Sequence, residues 1–131
     1  MRQYRVYDLS GTGAPDFYSL LLHRASGVRV WFFDLLAIDA EDLREKALDV
    51  RKERLARLLS AAGNERLKLS ESFDDGGKLL EAAGQMRLEG IVSKKRSAPY
   101  VSGANCGWIK VKTREWRQAN KERYKLFEKQ P

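Results

Sequence analysis

The stretch VRVWFFDLL at 28–36 constrains this chain more than any other. β-Branched and aromatic residues at that density fit a pleated, half-buried surface, so a sheet has to be built around it. Further short strands are predicted on both sides. YRVYDL at 4–9 alternates and is broken by SGTGAP, which carries two glycines and a proline. RLKLSESF at 66–73 reads as a short strand. EGIVSK at 89–94 and WIKVK at 108–112 read as two more, joined by a polar loop containing Pro99, Gly103 and Gly107.

Helical spacing fills the intervals. DFYSLLLHRAS at 16–26 starts on Asp16 in a cap position, carries Phe17, Leu20 and Leu21, and ends at Gly27. LDVRKERLARLLSAAG at 48–63 places Leu48, Leu55, Leu58, Leu59 and Ala62 on one face, with Gly63 as a stop. DDGGKLLEAAGQM at 74–86 repeats the spacing through Leu79, Leu80, Ala83 and Met86. REWRQANKERYKLFEK at 114–129 sets Trp116, Asn120, Arg123, Tyr124 and Phe127 along one side. Strands and helices mixed this unevenly predict an α+β fold, a mostly antiparallel sheet with flanking helices. With 131 residues and no repeat, low-complexity tract or linker, the prediction is a single domain over 1–131 with a core of its own.

Composition narrows the function. A single cysteine, Cys106, excludes an intramolecular disulfide framework and has no second ligand at zinc spacing. No apolar run is long enough to span a bilayer and no leader pattern opens the chain, so a cytosolic protein with no membrane partner is expected. The net charge of +7 and a pI near 9.7 favour a polyanionic partner, nucleic acid or a nucleotide phosphate, as much as they favour mere solubility. His23 has no partner histidine and reads as a core-edge or surface residue. The DDGGK run at 74–78 lacks phosphate-loop spacing and reads as a helix start.

Two stretches carry charge where a sheet core would be apolar. In WIKVK, period two puts Trp108, Lys110 and Lys112 on one face, while Ile109 and Val111 pin the other to the core. The two ammonium groups then emerge together, about 7 Å apart along the strand. Fixed point charges at that spacing suit a phosphate. The pattern alone is read more simply as a half-exposed strand with solvated lysines. In EGIVSKK, Glu89 stands beside Gly90, which permits a close approach of backbone or ligand. A carboxylate near lysines can share Mg²⁺ with phosphate oxygens, or it can be a surface glutamate paired with a lysine.

Taken together, in order and spacing, VWFFDLLAIDAEDLR, LDVRKERLARLL, GQMRLEGIVSKKRSAPYVSG and WIKVKT resemble the later nucleotidyltransferase motifs of ATP-dependent DNA ligases, particularly the ligase modules of bacterial end-joining systems. GAPDFYSLL near the start resembles the stretch after an earlier motif, so the likeness runs from about residue 6 to about Glu128. The resemblance implies an ATP-grasp-like nucleotidyltransferase fold, the DNA-ligase adenylation domain, of which this sequence holds the later portion. It also implies ATP and Mg²⁺ as cofactors and DNA as a partner. Phe33 would stack on adenine, Glu89 would sit near metal and phosphates, and Lys110 and Lys112 would contact the α-phosphate. Lys94 would add a phosphate or DNA contact.

The likeness has gaps. The family's attacking lysine belongs to a Lys-x-Asp-Gly motif ahead of the Phe-Asp-Leu-Leu strand, whereas the first lysine here is Lys46 and no Lys-x-Asp-Gly occurs. The family's Asp-Gly-Glu would fall on Gln3, Tyr4 and Arg5, reversing the charge at the last position. Its Ser-Gly-Arg reads Ser102, Gly103, Ala104. The stretch after Lys112 is too short for the OB-fold domain that usually follows. A truncated adenylation domain unable to self-adenylate alone is therefore expected, completed by a complementary ligase fragment or acting as a nucleotide- or DNA-binding module. A truncated gene product without activity is the third reading. Open sheet edges left by missing strands predict a homodimer that covers them.

Overall fold

The structure, a computed structural model, describes residues 27–103 and 106–121, together with the backbone of Tyr4–Asp8. The helix predicted at 16–26, His23, Ala104 and the end of the last helix with Arg123, Tyr124 and Phe127 lie outside the described residues. The chain divides into two compact units, Met1–Ser72 with Lys95–Cys106, and Phe73–Lys94 with Gly107–Pro131.

In the first unit β1 (Tyr4–Asp8) and β2 (Val28–Phe32) pair antiparallel, from Tyr4↔Phe32 to Asp8↔Val28. The other edge of β2 pairs with β5 (Leu67–Leu69), and that pairing is parallel, with Val30 opposite Leu67 and Phe32 opposite Leu69. Between them β3 (Ala37–Ile38) and β4 (Glu41–Asp42) form a small hairpin. Its two turn residues, Asp39 and Ala40, both sit at positive φ, 48° and 66°. That is the backbone a two-residue hairpin turn demands, and Ala40 adopts it without being glycine.

Helix α1 (Leu48–Ala62) covers this sheet. Its N-terminus has no side-chain cap. The N–H groups of Leu48 and Asp49 donate instead to the carbonyls of Ala98 and Arg96, each at 3.1 Å, so the 95–106 stretch of the same unit satisfies them. Gly63, at φ 59°, closes the helix in the left-handed region as its sequence position predicts. The core gathers Leu35, Leu43 and Leu55, with Phe32, Ile38 and Leu69 packed around them. The buried stripe of α1 is Leu48, Arg51 and Leu55. Leu58, predicted on that face, is 42% exposed, and Ala62 is exposed as well. Arg51 lies on the same face as Leu58, seven residues before it, so full burial stops along the helix after Leu55; Arg51 carries a buried partner described below.

In the second unit β6 (Gly90–Ser93) and β7 (Ile109–Lys112) pair antiparallel, from Gly90↔Lys112 to Ser93↔Ile109. Helix α2 (Gly76–Gln85) starts on Asp75, whose side chain accepts the Lys78 N–H at 3.0 Å; DDGGK is a helix start. Met86 falls just past the helix as its C-terminal cap and is 60% exposed, so it does not join the apolar stripe. Helix α3 (Arg114–Ala119) starts on Thr113. Buried Gly84 lets α3 come close, since a Cβ there would stand 2.6 Å from Oε2 of Glu115. Ile109 corrects a prediction. It is 65% exposed instead of pinned to a core, because α3 anchors at the Gly90↔Lys112 end of the hairpin and Ile109 lies at the other. Among the described residues no helix is long and apolar enough to cross a membrane.

Candidate functional site

Phe33 follows β2 directly and is half-buried in the first unit. The residue after it fixes its place. Asp34 is 2% exposed and takes the guanidinium of Arg51 on both oxygens, Nε to Oδ1 at 2.8 Å and Nη2 to Oδ2 at 2.9 Å. Oδ1 also accepts the Leu35 N–H at 2.9 Å. The remaining guanidinium nitrogen of Arg51 donates to the carbonyls of Lys46 and Ala98, at 2.6 and 3.3 Å. The Tyr100 ring centroid lies 5.9 Å from the guanidinium carbon. A bidentate, charge-assisted pair with its spare donors satisfied is the arrangement a buried ion pair needs. It ties the segment after β2, which begins with Phe33, to the start of α1 and the 95–106 loop. Beside it the ammonium of Lys52 donates to the Ser70 carbonyl at 2.7 Å and to Ser72 Oγ at 2.6 Å, and burial lowers its pKa.

Glu89, Lys94, Lys110 and Lys112 belong to the second unit. Strand alternation and the register put Gly90, Val92 and Lys94 on the same hairpin face as Trp108, Lys110 and Lys112. Gly90 is required there. A Cβ would stand 2.0 Å from the Val111 carbonyl oxygen and 2.7 Å from the Lys112 Cα, so the close approach read from the sequence is an approach of backbone. With no side chain at Gly90, the Glu89 carboxylate reaches across: its Oε1 lies 3.4 Å from Lys112 Nζ. That ammonium also stands 3.7 Å from the centroid of the Trp116 ring. Lys94 Nζ stands 3.9 Å from the centroid of Trp108. Lys110 is exposed and has no ion pair or ring contact among the described residues.

Thr113 holds this cluster at its base. It is 2% exposed; its N–H donates to the Glu89 carbonyl at 2.9 Å and its Oγ1 to the Leu88 carbonyl at 2.8 Å. The same Oγ1 accepts the Trp116 N–H at 3.3 Å. One hydroxyl thus starts α3, binds it to the entry of β6 and sets Trp116 under Lys112. Sequence reading missed Asp34, Arg51 and Thr113. The signals were present, an acid inside an apolar strand, a base on an apolar helix face, and a threonine followed three residues later by tryptophan, but none says which distant atom answers.

The donor set fits a phosphate better than a protein-caged metal. Among the described residues no three His, Cys, Asp or Glu side chains gather as ligands. A lone, largely exposed carboxylate such as Glu89 suits Mg²⁺ whose other ligands are phosphate oxygens and water.

Comparison with known proteins bears on the whole arrangement. The family described as the ATP dependent DNA ligase domain matches residues 19–112. The multifunctional non-homologous end joining protein LigD of Pseudomonas aeruginosa is 34% identical over 109 residues, which are 79% of this chain and 13% of that protein. A probable DNA ligase of Mycobacterium avium is 35% identical over 89 residues, 67% of this chain and 17% of that one. The chain therefore spans less than a fifth of these relatives. Among solved structures, the ligase domain of M. tuberculosis LigD superposes with a TM-score of 0.66 at 28% identity, over 83% of this chain and 36% of the other. With that shared fold, and with matching residues that run from ahead of β2 to the last lysine of β7, this chain belongs to the ATP-dependent DNA ligase domain family.

Proposed function

We propose that this chain contributes the later portion of a nucleotide site that serves DNA strand joining, with ATP as the nucleotide. Lys110 and Lys112 contact the α-phosphate, Lys94 adds a further phosphate contact, Glu89 shares Mg²⁺ with the phosphates, and Phe33 stacks on the adenine. The observation that carries this reading is Lys112, whose ammonium is held by Glu89 at 3.4 Å and by the Trp116 ring at 3.7 Å on the face that also bears Lys94 and Lys110. Bound ATP supplies an activated phosphorus. The lysines neutralise the charge on its oxygens, which is the main protein contribution to phosphoryl transfer besides positioning.

The attacking group is a separate matter. No Lys-x-Asp-Gly occurs in these 131 residues, and a nucleophilic lysine has to be both activated and placed against the phosphorus. The 131-residue chain by itself binds ATP and does not self-adenylate; the lysine comes from sequence or from a chain outside these residues. Intact-mass spectrometry after incubation with ATP and Mg²⁺, beside calorimetric titration of ATP, tests both halves. The mass stays unchanged, ATP binds, and Lys112→Ala weakens binding about tenfold. A gain of one AMP would overturn the first half, and absence of ATP binding the second.

A further inference from the structure

Two of the three hairpin lysines share an unusual feature. A lysine on a solvated strand extends its stem and carries its ammonium out to water. Lys112 and Lys94 do not; their ammonium groups stand 3.7 and 3.9 Å from tryptophan ring centroids. Both distances are well inside the range of about 6 Å over which a ring face attracts a cation. The two contacts arise by different local routes. Lys94 and Trp108 are the cross-strand pair that continues the register beyond Ser93↔Ile109. Lys112 and Trp116 are four residues apart, brought together because Thr113 starts α3 at once after β7. Lys110, exposed between them, has no such platform among the described residues.

We propose that Trp116 and Trp108 are positioning residues of the phosphate site, their ring faces fixing the Lys112 and Lys94 ammonium groups while Lys110 is left to adapt to the ligand. The proposal rests on the nucleotide reading above. A ring attracts a cation without competing for its N–H donors, since it offers no lone pair. The Trp116 ring therefore sets the position of Lys112 without itself taking one of its donors. The Glu89 carboxylate, by contrast, takes up charge and donors together, and binding of an anion with Mg²⁺ draws it toward the metal. The ring contact then remains as the part of the restraint that survives ligand binding.

The test uses the 131-residue chain and reads the contact and its consequence separately. By NMR, the Lys112 and Lys94 ε-methylene protons resonate upfield of the other lysines because they lie over rings. Trp116→Leu returns only the Lys112 signal to its ordinary position, and Trp108→Leu only that of Lys94. An ordinary Lys112 shift in the unsubstituted chain, or one that Trp116→Leu does not move, overturns the proposal. In ATP titrations with Mg²⁺, Trp116→Leu weakens binding about threefold and Trp116→Phe recovers part of the loss. Trifluorotryptophan at position 116 keeps the ring's shape and removes its negative face, so it weakens binding in a chain that still folds. Unchanged affinity with trifluorotryptophan, where Lys112→Ala does weaken binding, overturns the proposal and leaves packing as the role of the ring. If Lys112→Ala itself leaves ATP binding intact, the nucleotide reading fails, and with it the phosphate role of the rings, whatever the methylene shifts show.

Discussion

Asp34 and Arg51 are each about 2% exposed and answer one another across 17 positions of sequence. Removing one partner leaves the other charge buried and uncompensated. Arg51→Met is therefore expected to lower stability by about 3–5 kcal/mol in urea unfolding, while Asp34→Leu combined with Arg51→Met recovers most of that loss. A double variant as unstable as the single one would show that Arg51 matters through its bonds to the Lys46 and Ala98 carbonyls instead. Gly90 makes a second residue-scale test. Alanine there forces its Cβ against the Val111 carbonyl, so Gly90→Ala costs about 1–3 kcal/mol and displaces Lys112. Of these residues only Gly90 was legible in the sequence, because a glycine opening a strand already names its own requirement. Asp34 sits inside the most strand-like run of the chain, and a hydrophobic period passes over it; its partner belongs to another element, which no local pattern contains.

Element ends were read better than element faces. Gly63 and Asp75 stop and start helices where the sequence places them, since caps depend on one residue and its own turn. Faces depend on what lies opposite. The stripe of α1 is buried from Leu48 to Leu55, where Arg51 meets Asp34, and open at Leu58 further along the same face, and Ile109 lost its cover because α3 anchors at the other end of its hairpin. The parallel pairing of β2 with β5 was equally invisible, as a strand's period does not name its neighbour. Thr113 joins three elements through one hydroxyl. Thr113→Val keeps the shape and loses both bonds, so a cost of about 1–2 kcal/mol is expected, with faster hydrogen exchange at the Trp116 amide. Unchanged exchange would mean that α3 is started by its packing alone. The end of β4 gives a pH signal. The Arg44 side chain and backbone N–H both bond Asp42 and hold its carboxyl down to about 2, from an ordinary 3.8. A carboxylate depressed in this way stabilises the fold fully above its ordinary value and loses that contribution as pH falls toward 2. An NMR titration should place the Asp42 midpoint well below that of an unpaired aspartate, and Asp42→Asn should flatten this part of the acid dependence of stability.

At the scale of the whole molecule a family likeness and a net charge are legible in the sequence, and the charge admits two uses for the same lysines. The net charge of +7 favours DNA as strongly as it favours a nucleotide. Salt separates them, because binding to a polyphosphate duplex releases counterions in proportion to the phosphates neutralised. A chain of this charge is expected to bind duplex DNA weakly, with log K falling steeply as log salt rises. If Lys94, Lys110 and Lys112 face a nucleotide, replacing all three by alanine removes ATP binding and leaves the slope nearly as it was, since other basic residues carry the DNA. If they face the DNA backbone, the same replacement flattens the slope by about 0.9 for each lysine lost and ATP binding stays as it was. The ring contacts predict the first outcome. A duplex backbone is met by long side chains free to follow it, whereas an ammonium held 3.7 Å from a tryptophan centroid is placed for one phosphate in one position.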